Sequence, residues 1–227
     1  MSRTIRNAVV AVAFVLCGTL VQAAEGQDLV PLKIKLPKPV FQGTPKKIPP
    51  GTTVEKPTGK KREPMLVPEG TENVAFEKPV SASDDEPIIG ELEQLTDGDK
   101  EAMDGCYVEF APGLQWVQVD LEDTYTIYGA LIWHYHADPR VYRDVVVQVA
   151  DDPDFILNVN TIFNNDHDNS AGLGIGKDRE YFENYEGKLI EVKKPVTGRY
   201  VRFYSKGSTS DDQNHYIEVE VYGKPAE

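Results

Sequence analysis

The chain has 227 residues, with 37 Asp and Glu against 24 Lys and Arg and a net charge of −13. Residues 1–24 carry +2 and residues 25–70 carry +4, so residues 71–227 hold −19. A region this acidic repels phosphate backbones and anionic lipid surfaces, which argues against nucleic acid or an anionic membrane as ligand and leaves cations, neutral or weakly charged glycans and basic protein segments.

Arg3 and Arg6 precede an apolar run over residues 8–15, and Val21-Gln22-Ala23 offers a small-x-small cleavage pattern. Residues 1–24 therefore read as a secretory signal peptide cleaved near Ala23 or Ala24, with the mature chain secreted or periplasmic. Gly18, Thr19 and Gln22 interrupt the run well short of the about 20 apolar residues a membrane span needs. Leu16, rather than a small residue, stands before Cys17, so a lipoprotein signal fits poorly. Cleavage leaves Cys106 as the one cysteine and no internal disulfide. Its acidic neighbours Asp104 and Glu109 oppose a reactive thiolate.

Residues 25–70 form a Pro/Lys-rich linker or arm, with prolines from Pro31 to Pro68 and lysines clustered at Lys33, Lys35 and Lys38, at Lys46-Lys47 and at Lys60-Lys61. Proline removes backbone donors and favours extended geometry, so the segment is expected to be semi-rigid and largely without a core of its own. Disorder is the simpler expectation. Leu32, Ile34 and Leu36 alternate with Lys33 and Lys35, which leaves open an edge strand laid on the domain or on a partner.

From Asn73 onward the pattern changes to short strand-like runs. Residues 116–121, 126–136, 145–149, 158–163, 188–192, 200–204 and 217–222 are rich in β-branched and aromatic side chains, several alternating with period two. Asp97-Gly98, Ala111-Pro112-Gly113, Asp151-Asp152-Pro153-Asp154 and Thr197-Gly198 mark turns between them. No stretch shows helical periodicity, so residues 71–227 are expected to form one all-β sandwich that folds without the arm.

Five motifs in order carry a resemblance. They are Asn73-Val-Ala-Phe-Glu-Lys-Pro-Val-Ser-Ala-Ser83, Leu95-Thr-Asp-Gly-Asp99, Trp116-Val-Gln-Val-Asp-Leu121, Tyr142-Arg-Asp-Val-Val-Val-Gln-Val-Ala-Asp-Asp-Pro-Asp-Phe155, and the closing pair Tyr200-Val-Arg-Phe-Tyr204 with Ile217-Glu-Val-Glu-Val-Tyr-Gly223. This region resembles the discoidin, or coagulation factor V/VIII type C, domains and the carbohydrate-binding modules of the same galactose-binding-like superfamily. Glu122 departs from it, standing where the family carries Gly after Asp-Leu. The resemblance implies a galactose-binding-like jelly-roll β-sandwich, a binding module rather than an enzyme, and no catalytic residue.

It also implies two sites. In similar domains the Asp-Gly loop and the Glu opening the last strand hold a structural Ca²⁺. Carried over, Asp97 and Glu218 would give carboxylate oxygens, and Gln94, Asp99, Ala102 and Ile217 backbone carbonyls, close to the six to eight oxygens Ca²⁺ takes. Ala102 departs from a family Thr or Ser. The alternative is a plain Asp-Gly turn and an ordinary exposed Glu. In similar carbohydrate modules the ligand lies against loops at one end of the sandwich, here carrying His136, Arg140, Tyr142, Asn214 and His215. Such a set would stack an aromatic on sugar C–H groups and give planar polar groups to paired hydroxyls. The alternative pairs Arg140 with a surface carboxylate and packs Tyr216 in the core.

The loop over residues 164–176 fits neither a calcium EF-hand, since Ala171 and Lys177 fall at the required Gly and Glu, nor a nucleotide fingerprint. It reads as a polar binding loop or as a long turn whose Asn and Asp side chains bond their own backbone, with a second calcium left open. His134 and His136 share a strand face, but zinc needs further ligands that nothing supplies. His134 is expected in the sandwich and His136 at the surface. No Gly-x-Ser-x-Gly, His-Glu-x-x-His or phosphate loop is present. The expectation is a secreted, non-catalytic carbohydrate-binding module with a structural calcium. The alternative is a protein–protein or assembly module of the cell envelope, its arm docking on another chain, which a contiguous exposed apolar patch would favour.

Overall fold

The computed structural model describes residues 28–40, 47–49 and 52–226, so the signal-peptide expectation lies outside the described residues. The strands are β1 (Leu29–Pro31), β2 (Leu66–Pro68), β3 (Glu72–Asn73), β4 (Val80–Ala82), β5 (Val108–Phe110), β6 (Gln115–His134), β7 (Val146–Ala150), β8 (Asn160–Asn164), β9 (Lys188–Ser205) and β10 (Asn214–Pro225). One 3₁₀ helix, Leu92–Thr96, is the helical element. No helix among the described residues is long and apolar enough to cross a membrane.

Two long strands organise the domain. The first part of β6 pairs with β4 and with the end of β9, which in turn pairs with β7, and β7 with β8. The second part of β6 pairs with β10 and with the start of β9. Each of these strands was expected as two separate runs, with a turn at Thr197-Gly198. Instead both continue through a shared register shift between Asp120 and Tyr125. Gly198 makes this possible, because a Cβ there would run into Val149 and the Ala150 carbonyl. Arg199 clamps the shift, donating to Asp120 through Nε at 2.6 Å and Nη2 at 2.8 Å. Glu122 sits in this shift at φ +65°, a left-handed backbone that favours Gly and costs an ordinary L-residue. Its amide donates to Asp120 and its carboxylate pairs with Lys78 at 2.6 Å, which holds it there.

Alternation decides the faces. Val117, Val119, Val147, Val149, Val201 and Phe203 meet Ala130, Ile132, Ile190, Val219 and Val221 in one buried core. The opposite parity of the β6–β10 layer points outward, and there a second buried cluster forms from Leu131, Trp133, Ile217 and Tyr222.

The arm covers that second cluster. β1 and β2 pair antiparallel, with Leu29 opposite Pro68, and Leu32, Ile34 and Leu36 pack against the cluster while Lys33 and Lys35 face solvent. Val54, Met65 and Val67 are buried, and Arg62 donates to the Gly187 carbonyl at 2.9 Å. The expectation of disorder therefore gives way over the described part of the arm, because period-two apolar residues found an apolar sheet face to cover. Beneath the arm Lys100 pairs with Glu220 at 2.6 Å, both side chains 6% exposed. The ammonium also donates to the Lys35 carbonyl at 3.3 Å and lies 5.0 Å from the Trp133 ring centroid.

Removing the arm would uncover Trp133 and its neighbours and open a buried ion pair to water. A large apolar side chain loses about 1.5–3 kcal/mol on exposure, and 1 kcal/mol shifts Tm by about 2–4 °C in a domain of this size. A chain beginning at Gly70 is expected to melt more than about 10 °C below the longer chain in calorimetry; equal melting temperatures would show that the arm contributes nothing to stability.

Candidate functional site

At one end of the sandwich the turn after β6 meets the start of β10 and the short strand β5. Pairing of β5 with β10 sets Glu109 opposite His215. Arg140 is 8% exposed. Its Nε and Nη2 donate to the two oxygens of Asp138 at 2.8 and 3.2 Å, and its Nη1 to Asp211 at 3.3 Å. Burial opposes its charge, but the bonds to Asp138 and Tyr142 more than offset that, so its pKa is raised and the guanidinium stays charged. The guanidinium lies 4.8 Å over Tyr135, whose ring meets Tyr107 edge-on at 5.2 Å.

His215 joins the set, with Nε2 at 3.2 Å from Glu109 and Nδ1 at 3.1 Å from the Tyr142 hydroxyl. The carboxylate can only accept, so in the neutral ring Nε2 carries the hydrogen and Nδ1 accepts from the tyrosine. Burial, partly countered by Asp211, pulls the imidazole below its ordinary pKa, so it stays neutral at physiological pH. Glu183 supports this loop from inside. Its amide donates to the Arg140 carbonyl at 2.9 Å and its carboxylate accepts from His134 Nδ1 at 2.7 Å, both side chains fully buried. His134 is thus inside the sandwich, as expected, stacked on Tyr142 at 4.2 Å.

Of the five residues expected to touch ligand, Arg140, Tyr142 and His215 converge, and His136 and Asn214 do not present themselves to solvent. Tyr142 is itself buried and meets the site through His215 and Arg140. His136 is fully buried, against the expectation of exposure, because Nε2 donates to the Lys100 carbonyl at 3.0 Å. Asn214 is fully buried as a tie between loops: Nδ2 donates to the carbonyls of Ala111 and Gly113, each at 3.0 Å, and Oδ1 accepts from Ser205 Oγ and the Gly207 amide, each at 2.8 Å. An amide at that depth must satisfy every polar atom locally, which leaves none for a ligand. Arg140 does pair with carboxylates and Tyr216 does pack in the core, as the alternative had it. Sequence reasoning missed Tyr107, Glu109, Tyr135, Asp138 and Asp211. Only the step from His215 to its cross-strand partner could have found Glu109, and β5 is too short to show a pattern.

The calcium residues lie together beside the arm. Glu218 is fully buried, not an ordinary exposed Glu, and its two oxygens accept from the Gly98 amide at 3.1 and 3.3 Å. Gly98 turns at φ +84°, which brings that amide inward. Burial, with Glu220 beside it, pushes the Glu218 carboxyl up to about 9. Asp97 accepts from the Asp99 amide at 2.7 Å, and Ala102 and Ile217 are buried. The Gln94 side chain ties its own helix to the loops around it, accepting from the Glu91 amide and donating to the Gly105 carbonyl, and leaves the backbone carbonyl expected to serve calcium unaffected. A buried carboxylate so poorly compensated fits a cation's place, so the residues suit calcium. A second acidic group could also hold a metal ion: carboxylate oxygens of Asp144, Asp166 and Asp168 lie within 4.8 Å of one another. The loop carrying two of them is a turn stitched to itself, with Asn164, Asp168 and Asn169 side chains accepting from the amides of Asp166, Ser170 and Gly174.

Two shallow clefts, of about 300 and 440 Å³, lie along residues 161–178 and between residues 52–54 and 167–179. The convergent aromatic and planar polar groups lie at the loop end.

No protein-family model matches the chain, and no curated protein does. Among solved structures, a family 89 glycoside hydrolase from Clostridium perfringens, in complex with 2-acetamido-1,2-dideoxynojirmycin, superposes with a TM-score of 0.50 at 18% identity, over 68% of this chain but only 15% of that one. The CBM32 of AlyQ in complex with 4,5-unsaturated mannuronic acid superposes at 0.48 and 18% identity, over 64% of this chain and 95% of that one. Chitosan-binding module 1 of a chitosanase/glucanase from Paenibacillus sp. IK-5, as a selenomethionine-labelled point mutant, superposes at 0.47 and 20% identity, over 67% and 99%. The chain therefore shares an all-β sandwich fold with part of the family 89 glycoside hydrolase.

Asn214→Ala is expected to act on stability, not on binding alone. It orphans buried partners at about 1–3 kcal/mol for a group left unsatisfied. Thermal melting should fall by about 5–10 °C, and an unchanged melting temperature would contradict the tie.

Proposed function

We propose that the chain is a secreted, non-catalytic carbohydrate-binding module that holds a neutral or weakly charged glycan at the loop end and a structural calcium at Glu218. The observation that carries this reading is the convergence of Tyr107 and Tyr135 with Arg140, His215, Glu109 and Asp211 at one end of a galactose-binding-like sandwich. Aromatic edges and faces suit sugar C–H groups, and fixed carboxylate and imidazole groups suit hydroxyl pairs. The comparison proteins that bind sugars share the fold and lend the reading by analogy. The expected binding is weak, of millimolar to high-micromolar order, about −4 to −6 kcal/mol.

A glycan array with the purified chain tests the ligand class. Tyr107→Ala is expected to weaken any binder found by at least about tenfold, or 1.4 kcal/mol, and to lower the melting temperature modestly, since the partly exposed ring also packs against the second buried cluster. A broad screen that finds no binder, or a variant that binds as well as the native chain, overturns the reading.

For calcium, a ligand bound only by the folded chain adds about 2.7 kcal/mol at a hundredfold excess over Kd. Chelator is expected to lower the melting temperature, and Glu218→Ala to abolish the calcium response. Loss of that response in Asp168→Ala, with Glu218→Ala still responsive, would move the ion to the aspartate group.

The assembly-module reading keeps one specific observation. Ile156 and Leu157 are 74% and 59% exposed, beside the exposed Val159, on the turn between β7 and β8. Pull-down with and without residues 25–70, and with Ile156→Ser, separates it from glycan binding.

A further inference from the structure

The segment Lys177-Asp178-Arg179-Glu180 alternates in sign, and the fold sorts the two signs to different tasks. Asp178 accepts from the Asn164 amide at 2.7 Å, and Glu180 accepts from the Thr53 amide at 2.7 Å. Both carboxylates are spent on backbone donors. Lys177 and Arg179 are left exposed, and among the described residues their side chains join no ion pair and no hydrogen bond.

These two cations line the cleft of about 440 Å³ where the arm crosses the loop, with Thr52, Thr53, Val54 and His167. Among the described residues no carboxylate lines it, in a chain of net charge −13. His167 fixes the geometry: Nε2 donates to the Asp178 carbonyl at 2.8 Å, and Nδ1 lies 3.4 Å from the Thr53 hydroxyl. The Glu55 amide donates to the Glu180 carbonyl at 2.8 Å and continues the seam. The cleft is therefore built from both the arm and the loop.

We infer that this seam is a second binding site, taking a saccharide that carries a carboxylate, such as a uronic acid. The Arg179 guanidinium offers a planar fork matched to a carboxylate, and Lys177 a point charge beside it. Thr52 and Thr53 also line the cleft, their hydroxyls held by the Pro49 carbonyl at 2.8 Å and by His167 Nδ1 at 3.4 Å. The volume falls within the range of about 300–1,000 Å³ common for small-ligand sites. The neighbouring cleft of about 300 Å³ shares Lys177 and adds Leu173 and Ile175, but Asp178 lines it too, so an adjoining sugar unit there would sit beside a carboxylate. The saccharide part rests on the carbohydrate-binding role proposed above; the anion part stands on the charge arrangement alone.

Titration calorimetry of the full-length chain with trigalacturonate, galactotriose and acetate tests both parts. Trigalacturonate is expected to bind, and the double variant Lys177→Ala/Arg179→Ala to weaken it at least about tenfold. Salt near 1 M, where the Debye length is about 3 Å, should weaken it similarly, because both cations are exposed. Tyr107→Ala should leave it unchanged, since that ring belongs to the loop end. Equal trigalacturonate binding by the double variant, or no binding by the native chain, overturns the site. Trigalacturonate binding no better than acetate overturns the saccharide part while leaving the anion part. Galactotriose bound normally by a chain that ignores trigalacturonate would sink this inference and leave the loop-end reading intact.

Discussion

Because β6 and β9 remain hydrogen-bonded to each other on both sides of one register shift, the same two strands build both layers of the sandwich. The shift is tolerated through three local devices: the absent side chain at Gly198, the two-point clamp of Arg199 on Asp120, and the held left-handed turn at Glu122. A second shift, between Ile127 and Gly129, resets the parity downstream on β6, from Leu121 and Ile127 in the core to Ala130 and Ile132. Ile132 faces the core, Trp133 faces the arm, and His134 returns to the interior. The loop that follows then emerges beside β10 and β5, where Arg140 and His215 meet.

Much of the acidic charge faces solvent, but several carboxylates are also held by backbone amides or guanidinium groups. Asp152, Asp166, Asp178 and Glu180 each accept from main-chain N–H groups. Bonds of this kind stabilise an ionised carboxylate by more than a neutral pair would gain. An acidic composition therefore coexists with local positive surfaces, and net charge alone says little about which ligand a given face accepts.

The fold was legible because its signal is local. Alternation over Val117 and Val119, Val201 and Phe203, and Val219 and Val221 marks strands with one buried face, and the structure buries those residues. The site was half legible. Arg140 and His215 were visible by resemblance, but the roles of Asn214 and His136 depended on which polar atoms the interior needed satisfied, a fact about tertiary packing. Tyr107 and Tyr135 sit on a bend and at the end of a strand, where no periodicity points to them. The arm was misread for a related reason. Proline content describes what a segment cannot do alone, whereas Leu32, Ile34 and Leu36 owe their order to Trp133, some 100 residues further on.

The pairing of β1 with β2 gives the domain a direction of weakness. The two strands run antiparallel at the chain's upstream end, and β2 leads straight into β3 at the edge of β10. A pull transmitted through residues before Asp28 would peel β1 from β2 one hydrogen bond after another. The strand pairs of β6 with β9, spread over long stretches of both strands, would carry load only afterwards. The arm would thus yield first and spare the sandwich, uncovering the Trp133 face as it goes.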